Sequence, residues 1–473
     1  MLRTCPQKAQ WSLGLTRRAA SCVGIRTSVG VPQVRRAHAP PPWRPAYSLD
    51  QWVAKEARPI SLRQLMVFGR TLTESRLIGS ANYVRTELPT RLAHRIRDMQ
   101  TLPYVVVTNP HISQVYELYY KAFEGLRRLP EVKTLEDNER FCEKVGQSLQ
   151  EHLTVIPKLA MGVLECRGLM GQADMDRFMN TILRSRISRR VIAEQHIALT
   201  ETFHNPHHFP ESPLREAEFV GEVLVKCNAK DVVTRCGQEV AALAQIAYGP
   251  STLIPSINLS GHLHATFPYI LSHIEYIIGE LLRNSIQGIV ERQKATPGPP
   301  TKPPPIEVTV CEAQQHVIIR VSDQGGGIPR DVLPHIWSFS KGPRSDSTLQ
   351  NLNQVPKMAA TLQELRVEGG KTTAPDPKSS TISKMDIATH NFRSSSPKSG
   401  VLMHDSSLAS LSSRDPNLRL GMGLPLSRVY AEYWAGSLEL HSLEGYGVDA
   451  FLQISKLGNK NEQLTMRASM DAV

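Results

Sequence analysis

Apolar positions recur at helix spacing along the first half of the chain and alternate in short runs along the second. Between about 58 and 205, Leu88, Leu92 and Ile96, with Ala93, fall on one face of a helix. Pro89 lies inside that run and is expected to end or kink the helix near it, because proline lacks the N–H and crowds the preceding turn. A second apolar run covers Val155 to Cys166. A third, Met175 to Leu199, keeps a 3.6-residue period with no Gly or Pro inside it. Four or more long helices on short joins predict a bundle. The stretch His204 to Pro213 (HNPHHFPESP) reads as a loop.

The second half changes period. Residues 271–294 predict one strong helix, with Ile274, Ile277, Ile278, Leu281, Leu282 and Ile286 apolar. A Pro-rich loop at 297–305 leads to alternation at Ile306, Val308 and Val310, and then to an apolar run from His316 to Val321, which predict two strands. Residues 345–415 contain fourteen Ser and no periodicity, which predicts a long disordered loop. A helix is expected near 424–435, followed by strands at 437–443 and 448–455 joined by Glu444-Gly445-Tyr446-Gly447. The fold class is an N-terminal all-α helical bundle followed by an α+β domain, with helices on one face of a mixed sheet.

Length and composition narrow the function classes. The 473 residues suffice for two ordinary domains plus tails. No run approaches the roughly 18 apolar residues of a membrane span. The seven Cys are widely spaced without a CxxC pair, which indicates neither a disulfide framework nor a zinc site. Residues 1–49 carry Arg3, Lys8, Arg17, Arg18, Arg26, Arg35, Arg36 and Arg44 and no acid. Such a leader fits a mitochondrial transit peptide, covering 1–40, with a basic nucleic-acid-binding arm or a plain disordered tail as alternatives. Its eight basic residues account for most of the net charge of +11, so the body has no strong case for binding nucleic acid. A Pro-rich linker is expected at 40–49.

Three segments carry candidate chemistry. Glu280 and Asn284 lie four apart on the strong helix and so share a face. The carboxylate can polarise a hydroxyl, and the amide oxygen is a hard neutral ligand for Mg²⁺; an exposed polar pair is the plainer reading. Asp323-Gln-Gly325-Gly326-Gly327 follows a strand directly. A carboxylate there can accept from an adenine amino group, and glycines admit close backbone approach; a simple β-turn would also use them. Gly421-Met-Gly423-Leu424-Pro425 precedes a helix, where N–H groups can meet phosphate or merely form a hinge. Leu426 stands where a dinucleotide fingerprint needs its third Gly. No P-loop, HRD or DFG occurs. The clusters His204, His207, His208 and His262, His264 have no accompanying Cys or carboxylate framework for metal.

Taken in order, the three segments resemble the N, G1 and G2 boxes of the GHKL ATPase and kinase superfamily. The helical half narrows the resemblance. Glu87 to Ile96 (ELPTRLAHRI), Leu102-Pro103, Ser185 to Arg190 (SRISRR), Gln195-His196 and the ending Tyr430 to Gly445 are similar to the mitochondrial 2-oxo acid dehydrogenase kinases. The likeness covers roughly 55–345 and 415–457.

The resemblance implies a protein-serine kinase that uses ATP and Mg²⁺ in the mitochondrial matrix and inhibits a 2-oxo acid dehydrogenase complex. Its domains would be a helical regulatory and docking domain at 55–215 and a GHKL-type ATP-binding domain at 225–457. A lid insertion at 345–415 would interrupt the second, and a tail would follow at 458–473. Glu280 would be the general base and Asn284 the Mg²⁺ ligand. Asp323 would read adenine, while Gly325, Gly327, Gly421, Gly423 and Leu424 shape pocket and lid. Partners would be the E1α subunit and the lipoyl-bearing E2 core, with the kinase a homodimer. A regulatory pocket would lie in the helical domain. His94 and His196 fit this family without the phosphoacceptor role of a bacterial histidine kinase.

Pyruvate dehydrogenase kinases tend to carry His four residues before the base. Tyr276 stands here, as in the branched-chain kinase, and the tail has no Asp-Trp pair, so the sequence leans toward the branched-chain type. Val448 replaces the Thr that helps hold adenine, which predicts a weaker contact by about 0.5–1.5 kcal/mol. That change leaves open a nucleotide-binding pseudokinase or docking module. An ATPase of the Hsp90 or MutL type fits less well with the preceding helical domain.

Overall fold

A computed structural model describes residues 46–204, 219–296, 302–341, 345–355 and 420–464. The stretches read as a transit peptide at 1–40 and as a loop beyond His204, most of the Ser-rich insert and the end of the tail lie outside the described residues. The first half forms helices α1 (Ala46–Val53), α2 (Leu62–Arg70), α3 (Glu74–Gln100), α4 (Tyr104–Val107), α5 (Pro110–Arg127), α6 (Leu135–Glu151), α7 (Val155–Glu165) and α8 (Gln172–His204). Side-chain caps fix several starts. Ser61 and Gln64 form a reciprocal capping box before α2, and Asn109 caps α5 with Pro110 at its first position. Packing of α3 on α5 and α8 buries Leu92, Ile96, Tyr119, Phe123 and Ile182.

Two expectations need correction here. Of the two outcomes expected at Pro89, an end or a kink, the end does not occur: helix α3 continues through it, with Glu87, Leu88, Pro89, Thr90 and Arg91 all buried. The linker also ends earlier than 49, since Ala46 opens α1 and Leu49 is buried.

The second half contains strands β1 (Phe219–Val220) and β2 (Val223–Asn228), helix α9 (Ala229–Tyr248), strands β3 (Ile257–Gly261) and β4 (Thr266–Ile270), and helix α10 (Leu271–Ala295). Strands β5 (Ile306–Glu312) and β6 (His316–Asp323), helices α11 (Ser345–Asn353) and α12 (Gly423–Tyr433), and strands β7 (Ser437–Leu443) and β8 (Gly447–Ser455) complete it. A small sheet β1-β2-β4 joins a five-stranded sheet ordered β3-β5-β6-β8-β7. Only β3 and β5 pair parallel, so the larger sheet is mixed. Its inward face alternates strictly: Ile306, Val308 and Val310 on β5, Val317, Ile319 and Val321 on β6, and Ala450, Leu452 and Ile454 on β8 are buried. Helix α10 packs on β6 and is flanked by α9 and α12.

The Ser-rich tract is not wholly loop. Ser345–Asn353 is helical, packs against α7 and buries Leu352. Its apolar pair, Leu349 and Leu352, is too short a pattern to stand out in a Ser-rich background.

The segment after β8 is likewise no loose tail, as far as Leu464. Its backbone laces onto α2, with Arg63 N–H donating to Gly458 O at 2.8 Å and Glu462 N–H to Ile60 O at 2.8 Å. The Glu462 carboxylate is buried, and Arg91 Nη2 reaches its Oε1 at 2.8 Å. Arg91 also donates to Glu87 Oε2 at 3.2 Å and to the Arg58 carbonyl at 2.9 Å, and contacts Ser188 of α8. The Tyr433 hydroxyl, at the end of α12, donates to Glu462 Oε2. Burial opposes the charge on Arg91, but Glu462, Tyr433 and Tyr83 together outweigh it and the proton affinity rises. Burial and then Glu462 push Tyr433 well above the usual phenol range, so it remains a donor. Cutting one partner of such a network strands the others in a medium that solvates charge poorly. Arg91→Met is therefore expected to lower unfolding stability by about 3–5 kcal/mol in chemical denaturation. A loss below about 1 kcal/mol would mean that the network contributes no more than a surface pair.

Candidate nucleotide site

The period-two alternation of β6 that buries Val317, Ile319 and Val321 places Asp323, its last residue, on the same inward face. There the carboxylate meets α10. Ser285 Oγ donates to Asp323 Oδ2 at 2.8 Å, and the Gly325 N–H donates to Oδ1 at 2.9 Å. Burial raises the proton affinity of this carboxyl, and the donors from Gly325 and Ser285 hold the rise in check. Val448 on β8 pairs directly across from Asp323, so the missing hydroxyl is missing beside the carboxylate itself.

The glycines after Asp323 are needed for approach and for conformation. A Cβ on Gly325 would lie 3.0 Å from the Gly288 carbonyl carbon and 3.1 Å from Ile289 N, so this turn rests on the backbone of α10. Gly327 has φ +76, and its missing side chain makes room for the β7–β8 turn, where a Cβ would come within 3.0 Å of Glu444 Cα. Arg292, near the end of α10, straps both turns. Its guanidinium donates to the carbonyls of Gln324 and Tyr446, each at 2.9 Å, and of Gly445 at 3.0 Å.

Glu280 and Gly288 lie eight residues apart on α10, with Asn284 midway, so the three form one strip along the helix. Each step of four residues is about 6 Å along the axis. At one end of the strip Gly423, the first residue of α12, covers Glu280: a Cβ there would lie 3.0 Å from Glu280 Cδ. At the other end sits the Gly325 turn. Asn284 stands between them, half-buried, and its Nδ2 is buried with no hydrogen-bond partner among the described residues. A neutral amide left unsatisfied between two glycine turns fits a side chain whose partner is a ligand. With a hard oxygen at its tip it also fits a Mg²⁺ ligand. Glu280 is fully buried and ion-paired with Arg283. Gly421 has φ +65, a left-handed bend just before α12, and Leu424 in the first turn packs against the core.

The structure thus brings all the predicted site segments onto α10. Three contributors escaped the sequence reading: Ser285, Gly288 and Arg292. Gly288 alone carried a signal, as an isolated glycine inside a helical pattern, which commonly marks close packing. His94 and His196 are structural. His94 Nε2 lies 2.8 Å from the Lys55 carbonyl; His196 is buried between Ser80 and Asn138, and burial lowers it to about 4. The helical half holds a second concentration of buried charge. Arg186, Arg189 and Arg190 lie near His152, which burial and then Arg189 lower to about 3.

Fold and site define a GHKL-type ATP-binding domain carried behind a helical bundle. Residues 270–457 match the family model of histidine kinase-, DNA gyrase B- and HSP90-like ATPases. Residues 59–224 match that of the mitochondrial branched-chain alpha-ketoacid dehydrogenase kinase. The chain is 31% identical over 434 residues to [pyruvate dehydrogenase (acetyl-transferring)] kinase 2, mitochondrial, of Saccharomyces cerevisiae, covering 88% of this chain and 86% of that one. It is 29% identical to the Arabidopsis thaliana mitochondrial kinase of the same name, over 88% and 95% of the two chains. To isozyme 4 of Mus musculus it is 25% identical, over 85% and 82%. The chain belongs to the mitochondrial 2-oxo acid dehydrogenase kinase family, and it is a protein kinase of the GHKL type.

Because folding raises the proton affinity of Asp323, the stability it contributes is full below the unfolded carboxylate range and is lost as pH rises through its folded value. Asp323→Asn is expected to melt no earlier than wild type at neutral pH without nucleotide. Its ATP binding should weaken about 10- to 100-fold, for one charge-assisted hydrogen bond. Parallel losses of melting temperature and calorimetric affinity would assign Asp323 to the fold alone. Val448→Thr should tighten ATP binding by about 0.5–1.5 kcal/mol, through the restored hydroxyl. Unchanged affinity would place that position outside the adenine contact.

Proposed function

We propose that this chain is a protein-serine kinase of the mitochondrial matrix that transfers the γ-phosphoryl group of Mg·ATP to the E1α subunit of the pyruvate dehydrogenase complex and so inhibits it. The strip on α10 supports this reading most directly, because it sets a buried carboxylate, an unsatisfied amide and an adenine-reading carboxylate along one wall. The relatives named above, aligned over most of this chain, carry the pyruvate dehydrogenase name. Tyr276 carries the second reading, the branched-chain complex, together with the branched-chain name of the helical-half model. Under either reading the partners are E1α and the lipoyl-bearing E2 core, and the kinase is a homodimer. Domains at 55–215 and 225–457 divide docking and regulation from catalysis.

In this mechanism Asp323 accepts from the adenine amino group, and the turns at Gly325 and Gly327 let the base approach. The Gly421 and Gly423 backbone lies toward the phosphates, at the Glu280 end of the strip. Asn284 would hold Mg²⁺ through its amide oxygen, and the ion would supply neutralisation of phosphate charge. Glu280 takes the proton of the acceptor serine as its oxygen attacks the γ-phosphorus and the bond to the ADP oxygen breaks. Most of the rate comes from positioning and charge neutralisation.

The test is phosphoryl transfer from labelled ATP to purified E1 of each complex. Label is expected on serine of pyruvate dehydrogenase E1α. Glu280→Gln should lower the rate by about 10²- to 10⁴-fold, the usual contribution of a general base, with ATP still bound. ATP binding without labelling of either E1 would favour a docking module or pseudokinase instead.

A further inference from the structure

Resting on the assignment of Glu280 as base, we propose that Arg283 is its positioning residue, holding the carboxylate in the plane from which it meets the acceptor hydroxyl. Glu280 has no exposed surface, and a buried carboxylate keeps one orientation only where a partner fixes it. Arg283 supplies that partner from the next turn of α10, Nη2 against Oε2. The turn before Glu280 supplies an aromatic residue, Tyr276, whose ring packs on Tyr430 at 5.3 Å between centroids.

The pair also has a roof. A Cβ on Gly423 would lie 3.0 Å from Glu280 Cδ and 3.4 Å from Arg283 Nη2, so the start of α12 closes over carboxylate and guanidinium together. Asp323, the adenine end of the strip, is held instead by Ser285 and Gly325. Loss of Arg283 should thus disturb the chemical step and spare nucleotide affinity.

The experiment is steady-state phosphorylation of E1 by wild type, Arg283→Met and Arg283→Lys, with ATP affinity measured calorimetrically for each. Arg283→Met is expected to lower kcat about 10- to 100-fold, the scale of a misplaced catalytic group, with KM for ATP within about twofold. Arg283→Lys should recover most of kcat, because an ammonium can still hold one carboxylate oxygen. Unchanged kcat in Arg283→Met would overturn the proposal. So would a lysine variant as slow as the methionine one, or a loss of ATP affinity matching the loss of kcat. A wild-type enzyme that binds ATP but labels no E1 would instead remove the base assignment, and this proposal with it.

Discussion

The bond between Ser285 and Asp323 joins the central helix to the central strand, and the site is built outward from it. A carboxylate at the end of an apolar alternation is a costly thing to bury. Here two donors hold it, one from α10 and one from the turn that follows β6. With that junction set, the glycine turn lies close on the helix, where a Cβ on Gly325 would come within 3.0 Å of its backbone. The strip from Gly288 back to Glu280 then faces the same cleft. On the proposed reading, one wall serves both ends of a nucleotide.

Helix α12 carries the other constraint. Its first residue covers Glu280, while its last turn is held by the helical bundle. Tyr433 reaches Glu462, which Arg91 of α3 grips; Glu432 pairs with Arg184 of α8 and with Arg428. The element roofing Glu280, the proposed base, is thus anchored in the helical half of the chain.

Much of this was legible in the sequence because it was periodic or glycine-marked. The apolar period of α10 located the helix, and the alternation of β5 and β6 placed Asp323 at a strand end. The two glycine segments, after Asp323 and from Gly421, marked close approach. What stayed hidden had no local signature. Arg91 and Glu462 are 371 residues apart, and nothing near either shows that they meet. The small sheet β1-β2-β4 and helix α9 fell in a stretch whose patterns are short. Pro89 misled because tertiary burial overrides a local helix breaker. Helix α11 was masked by the serines around it. The leaning toward one substrate was read from a few positions, among them Tyr276, whose ring packs in the core against Tyr430.

The central claim is that α10 presents one wall to the whole nucleotide. A crystal structure with Mg²⁺ and a non-hydrolysable ATP analogue tests it most directly. The adenine amino group should lie within hydrogen-bond distance of Asp323, and the metal should be bound by the Asn284 amide oxygen. The γ-phosphate should lie toward Glu280 and Gly423. Adenine bound away from Asp323, or a metal without Asn284 among its ligands, would contradict the account.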